Sequence, residues 1–195
     1  MPEAARTRIV VGMTGATGAI YGIRILEELR RHQEVEVHLV LSNPAKRTIV
    51  EETSRPVKEV EALAHVLHDN RDIGAALASG AFRTSGMVIA PCSIKTMSAV
   101  ANCYSDSLIT RAADVTLKEG RTLIVLVRET PLHAGHLRQM LTLAELGAVV
   151  LPPMPAFYQR PQTVEDIVNH TVGRVLERLG LPQDLVPEWT GTSPD

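Results

Sequence analysis

The chain is predicted to adopt a doubly wound, Rossmann-like α/β fold: a flavodoxin-like three-layer sandwich whose mainly parallel sheet is covered by helices on both faces. Three observations predict it. Short Val/Ile/Leu-rich runs alternate with helical patterns along the whole chain, as in consecutive right-handed βα crossovers. Hydrophobic residues make up 45% of the sequence but aromatics only 3%, an aliphatic balance that suits strands buried on both faces. The first strand also runs through evenly spaced glycines straight into a helix. At 195 residues the chain suits one domain, with 1–7 and 183–195 as tails.

Taken in order, the first strand is Arg8–Met13, and Gly12, Gly15 and Gly18 carry it into a helix over 19–31. Glycines let a backbone approach an anion, and a helix start offers unpaired N–H groups at the positive end of its dipole. A dinucleotide fingerprint needs G-x-G-x-x-G, whereas these glycines fall as G-x-x-G-x-x-G. The second strand, Glu36–Leu41, ends in Ser42 and not in the acidic residue that would bind an adenosine ribose. A mononucleotide site follows, flavin-like before nicotinamide-like. The alternative is a glycine turn that serves only tight strand-to-helix packing.

Helices are expected over 44–52 and 58–67, and then Asn70 to Ser85 breaks the pattern with the small apolar run from Ala75 to Gly80. The third strand, Met87–Pro91, leads through Cys92 and Ser93 into a helix over 94–101. Ser93 is a natural N-cap; with Lys95 and Thr96 it also describes a second anion cradle, and both readings stay open. A helix over 106–119 places Arg111 and Lys118 on one face with Asp114 near enough to pair with Arg111, the pattern of a solvated charged face. The strand Thr122–Val127 runs directly into Arg128 and Glu129, a charged pair at a carboxyl end. A helix over 133–146 closes on Gly147, and the last strand is Ala148–Leu151. The proline-rich loop Pro152–Pro161 follows and should border the site, since α/β sheets bind ligands at the carboxyl ends of their strands. The final helix, 163–179, opens on a Thr163/Asp166 capping box and ends at Gly180.

Lys118, Arg128 and Arg174, counted together as cations at strand ends and with Tyr158 nearby, exceed what one flavin phosphate needs, which suggests a second phosphorylated ligand. No metal is expected: His133 and His136 share a helical face, but no third ligand stands at a suitable spacing. The formal charge of −2 offers no basic field for nucleic acid or anionic lipid. No segment approaches a membrane span, and Met1 to Arg8 lacks a signal-peptide core, so the expected location is the cytoplasm. Cys92 and Cys103 are expected as buried free thiols.

Five ordered motifs, Thr14–Ala19, Pro91–Thr96, Arg111–Glu119, Arg128–Leu132 and Pro155–Tyr158, resemble the UbiX-like flavin prenyltransferases over roughly residues 8 to 182. The resemblance implies metal-independent transfer of a dimethylallyl group from dimethylallyl phosphate to N5 and C6 of reduced FMN. The product, prenylated FMN, would serve a UbiD-type decarboxylase. It also implies a homo-oligomer, a dodecamer with sites at subunit interfaces. By the same resemblance Gly15, Ala16, Thr17, Ser42, Ser93, Ile94, Lys95, Thr96 and Arg128 would meet the flavin. Lys118, Arg128, Glu129, Tyr158 and Arg174 would hold dimethylallyl phosphate, some from neighbouring subunits, and Glu52 would lie near the reacting flavin edge. Catalytic roles fall to Glu52, Glu129, Lys118 and Thr17, the last replacing the Ser usual in the family. Two rival readings remain: a flavin-dependent decarboxylase of the same fold, and a non-catalytic FMN-binding subunit of a decarboxylase complex.

Overall fold

The computed structural model describes residues 7–187 and 191. Six strands, β1 (Thr7–Met13), β2 (Val35–Leu41), β3 (Val66–Asp69), β4 (Gly86–Cys92), β5 (Thr122–Val127) and β6 (Val149–Val150), form one sheet in the order β3-β2-β1-β4-β5-β6. Every neighbouring pair is parallel. The helices are α1 (Ala19–Arg31), α2 (Asn43–Glu52), α3 (Val57–Glu61), α4 (Ile94–Ala101), α5 (Leu108–Lys118), α6 (Ala134–Glu145) and α7 (Val164–Arg178).

Period-two alternation sends successive strand residues to opposite faces, and both faces are apolar. Ile9, Val11 and Met13 of β1 pack with Ile23 and Leu26 of α1 and Val172 and Leu176 of α7. Val10, with Met87 and Ile89 of β4, packs on the other face against Met97 of α4 and Ile109 and Ala112 of α5. Because every strand points the same way and the order reverses between β1 and β4, a crevice opens at their carboxyl ends.

The structure corrects three local expectations. The helix expected over 58–67 stops at Glu61, and β3 takes over a few residues later. His65 makes the change: its N–H donates to the Val37 carbonyl and its Nδ1 accepts from the Val37 N–H, docking the chain on β2. The last strand shrinks to Val149–Val150. Cys92 is buried as expected, but Cys103 is exposed, since it sits at φ 54° in the turn after α4. Gly147 and Gly180 adopt the left-handed conformation at their helix ends, and the Thr163/Asp166 capping box is present.

Candidate active site

The β1 and β4 ends are stitched together by Thr14, which is buried. Its hydroxyl donates to the Pro91 carbonyl at 2.8 Å and accepts from the Ser93 N–H at 2.8 Å. Each glycine of the adjoining turn has a steric reason to be there. A Cβ on Gly12 would lie 3.3 Å from Ile109, one on Gly15 would overlap Pro44 at 2.3 Å, and Gly18 sits at φ +99°. Packing alone therefore accounts for the glycine spacing.

The N-terminus of α1 is also occupied from within the chain. Glu52, at the end of α2, accepts from the Gly18 N–H at 2.7 Å and the Ala19 N–H at 3.0 Å. The anion seat that the glycine turn predicts is filled by this carboxylate, which completes the α1 cap.

The room for a ligand lies beside that turn. A cleft of about 390 Å³ is lined by Gly15, Ser42, Ser93, Lys95 and Thr96, together with Thr14, Asn70, Arg71, Ser107 and Thr110. Helices α2, α4 and α5 all begin here, and each is capped by a serine: Ser42 accepts from Ala45 N–H, Ser93 from Thr96 N–H and Ser107 from Thr110 N–H. Capping is thus a real role of Ser93, held along with its place in the wall. Asn70 fixes the third start, accepting from Leu108 N–H through its carbonyl and from Ile109 N–H through its side chain. Lys95 is exposed, with Nζ 3.3 Å from Asp106. Hydrogen bonds from Arg71 hold the Asp69 carboxyl down at about 2, so this rim pair stays charged.

Arg128 reaches the same turn from β5. Its N–H donates to the Cys92 carbonyl, and its Cγ lies 4.0 Å from where a Gly18 Cβ would stand. Burial pushes the neighbouring Tyr21 hydroxyl upward, and the Arg128 charge opposes that. The Arg128 Nε is buried with no hydrogen-bond partner among the described residues. An orphaned guanidinium donor beside a hydroxyl-lined cleft fits a phosphorylated ligand with ring acceptors. Glu129, next to it, is exposed and accepts from the Thr130 N–H. Ala16, Thr17 and Ile94 flank the cleft on the two turns without lining it. Cys92 offers no nucleophile, because burial pushes its thiol up to about 12.

The remaining candidates are not together in one chain. Lys118 ends α5 ahead of β5, so it lies at the amino edge of the sheet, one full strand from Arg128, and pairs with Glu119. Its grouping with Arg128 as a cation at a carboxyl end does not hold within a protomer. Arg111 pairs with Asp114 at 2.8 Å on the same helix, as its spacing predicts. Tyr158 and Arg174 line a separate depression of about 520 Å³ against α7. His133 and His136 stack at 3.6 Å, and among the described residues no set of three or more His, Cys, Asp or Glu is placed to hold a metal. Thr14, Asn70, Ser107 and Thr110 are not among the site residues expected from the sequence; Thr14 carries a signal as the first polar residue after a buried strand, and Ser107 as a serine at a helix start.

The Flavoprotein family profile matches residues 2–176. The flavin prenyltransferase UbiX of Escherichia coli strain K12 is 55% identical over 94% of this chain and 98% of its own length. The chain belongs to the UbiX-like branch of the Flavoprotein family. Among solved UbiX-like structures, AnUbiX in complex with FMN and dimethylallyl pyrophosphate is 47% identical with a TM-score of 0.94, covering 96% of this chain and 100% of that one. A dodecameric FMN-dependent UbiX-like decarboxylase from Escherichia coli O157:H7 is 49% identical with a TM-score of 0.93, over 95% and 100% of the two chains.

Proposed function

We propose that this chain is a flavin prenyltransferase, joining the dimethylallyl group of dimethylallyl phosphate to N5 and C6 of reduced FMN. The observation that carries the reading is the orphaned Arg128 donor beside the β1/β4 cleft, in a chain 55% identical to a flavin prenyltransferase. Reduced flavin supplies the nucleophilic ring; the protein supplies position and charge. Gly15, Ala16, Thr17, Ser42 and the Ser93–Thr96 turn wall the flavin, and Arg128 donates from its far side. As the allylic C–O bond breaks, negative charge gathers on the leaving phosphate. Lys118, Arg128 and Arg174 hold that charge, with Tyr158 donating a hydrogen bond. Glu129 positions the phosphate to receive a proton, and Glu52 keeps the α1 end ordered beside the reacting edge.

Since Lys118, Arg128 and Arg174 occupy three separate places in one chain, the phosphate clamp in this reading is assembled from several copies. A homo-oligomer, dodecameric like the Escherichia coli O157:H7 relative, meets that need. The product is prenylated FMN, passed to a UbiD-type decarboxylase. A cytoplasmic location belongs to the same reading; among the described residues no helix is long and apolar enough to cross a membrane. Anaerobic incubation with reduced FMN and dimethylallyl phosphate, followed by mass analysis of the bound flavin, tests it. A flavin carrying one added dimethylallyl group is expected. Unmodified FMN at full occupancy of both substrates would overturn the assignment.

A further inference from the structure

The Tyr158 hydroxyl lies 3.2 Å from His170 Nε2, with the two rings nearly perpendicular and their centroids 6.0 Å apart. Tyr158 comes from the single turn Phe157–Gln159 and His170 from α7. Arg174 stands one helical turn beyond His170, and all three line the depression of about 520 Å³ against α7. Glu177 pairs with Arg174 at 2.5 Å and holds its guanidinium in this depression. The sequence points to Tyr158 and Arg174 as substrate-binding candidates but not to His170.

We propose that His170 is a positioning residue for the substrate phosphate, donating its Nε2–H to the Tyr158 oxygen and so directing the phenol proton to a phosphate oxygen beside Arg174. This rests on the prenyltransferase reading. A phenol has one proton and an imidazole in its neutral form has one N–H. If Tyr158 gave its proton to His170, it would turn only lone pairs toward a phosphate dianion, and the two would repel. With Nε2–H donating, the phenol oxygen accepts from His170 and keeps its own proton to give to the substrate. Burial holds His170 below the usual imidazole range, Arg174 lowers it further and Glu177 opposes this. The ring is therefore neutral near pH 7, and the bound anion selects the Nε2–H tautomer. Arg174 supplies the charge, Tyr158 the direction, and His170 fixes Tyr158.

The test is steady-state kinetics with saturating reduced FMN and varied dimethylallyl phosphate. His170→Leu should lower kcat/KM for dimethylallyl phosphate by about three- to tenfold, the worth of one neutral hydrogen bond, while FMN affinity stays near wild type. His170→Gln, whose amide N–H can donate from a similar place, should recover most of that loss. In a Tyr158→Phe background, His170→Leu should add nothing further, because its effect passes through the hydroxyl. An unchanged kcat/KM in His170→Leu, or the same loss with and without the Tyr158 hydroxyl, overturns the proposal. A failure of the prenyltransferase reading is distinguishable, since the wild-type protein would then form no prenylated flavin at all.

Discussion

Arg128 holds a buried donor that the folded chain leaves without a partner, so its removal separates ligand binding from folding. An unpaired buried polar group weakens the fold, and replacing it with an apolar side chain of similar length is neutral or stabilising. Arg128→Met should therefore leave the flavin-free thermal midpoint unchanged or raised. FMN affinity should fall about ten- to a hundredfold, the loss expected for one charge-assisted contact; titration at constant ionic strength measures it, and undiminished affinity would place Arg128 outside the flavin site. Glu52 behaves in the opposite way, because it satisfies the first N–H groups of α1. Glu52→Ala should cost about 0.5–2 kcal/mol in urea unfolding, as for other lost N-caps and helix-end charges. Glu52→Gln keeps an acceptor oxygen and should lose less. If both variants unfolded at the wild-type midpoint, the cap would be absent in solution.

At the scale of elements, β2 carries a titrating chain away from the cleft. His38 is buried on this strand, with Nε2 2.8 Å from Glu36 and Nδ1 2.9 Å from His68 of β3. Arg8 donates to the same Glu36 carboxylate and lies over the Phe82 ring, 4.6 Å from its centroid; that ring meets His38 edge-on. Burial, foremost, holds His38 and His68 below their ordinary value of 6.5. The unfolded chain thus takes up protons before the folded one does as pH falls. The stability from these groups is present above that value and is lost as pH drops through it toward the lowered pKa values. Glu36, held low chiefly by its bond to His38, adds a loss of the same sign at more acid pH. The unfolding midpoint should drop between about pH 7.5 and 5.5, the range in which unperturbed imidazoles protonate. His68→Gln, which can still donate to His38, should flatten that drop; an unaltered slope would remove His68 from the account. The same elements show what a sequence reveals. β1, β4 and β5 are legible because both of their faces are apolar, which leaves a continuous aliphatic run, and β2 because Val35, Val37, Leu39 and Leu41 keep one face apolar while Glu36 and His38 alternate on the other. β3 is not, because it is an edge strand of four residues whose Val66 and Leu67 are exposed, and its partner contacts come from backbone pairing that no side-chain pattern records. The serines at three helix starts are legible singly as caps. Their convergence on one cleft depends on the strand order, which follows from the fold and not from any local motif.

For the whole molecule, the position of Lys118 decides how the second phosphate can be bound. It precedes β5 and Arg128 follows it; a six-residue strand separates their backbones by roughly 20 Å, too far for both side chains of one chain to grip one phosphate. Arg111 and Lys118 share a face of α5, so sequence spacing relates Lys118 to its own helix correctly while saying nothing of the edge where it ends. Exposed apolar groups offer surfaces for assembly: Met154 and Phe157 in the loop after β6 are 67% and 74% exposed, and Leu137 and Leu141 form a stripe on α6. The small apolar run that begins at Ala75 is partly committed to its own core, since Leu77 is buried. A clamp built from different copies makes a prediction that a clamp within one chain cannot. Lys118→Ala and Arg128→Ala proteins should each be nearly inactive alone. When the two are unfolded together at equal amounts and reassembled, a site that takes Lys118 from one copy and Arg128 from another is intact in about a quarter of cases by random assortment in a closed symmetric oligomer. Prenylated FMN should then form at roughly that fraction of the wild-type rate, again by the same assortment. If both residues served one site from one chain, no mixed assembly would hold an intact clamp, and reassembly would restore nothing.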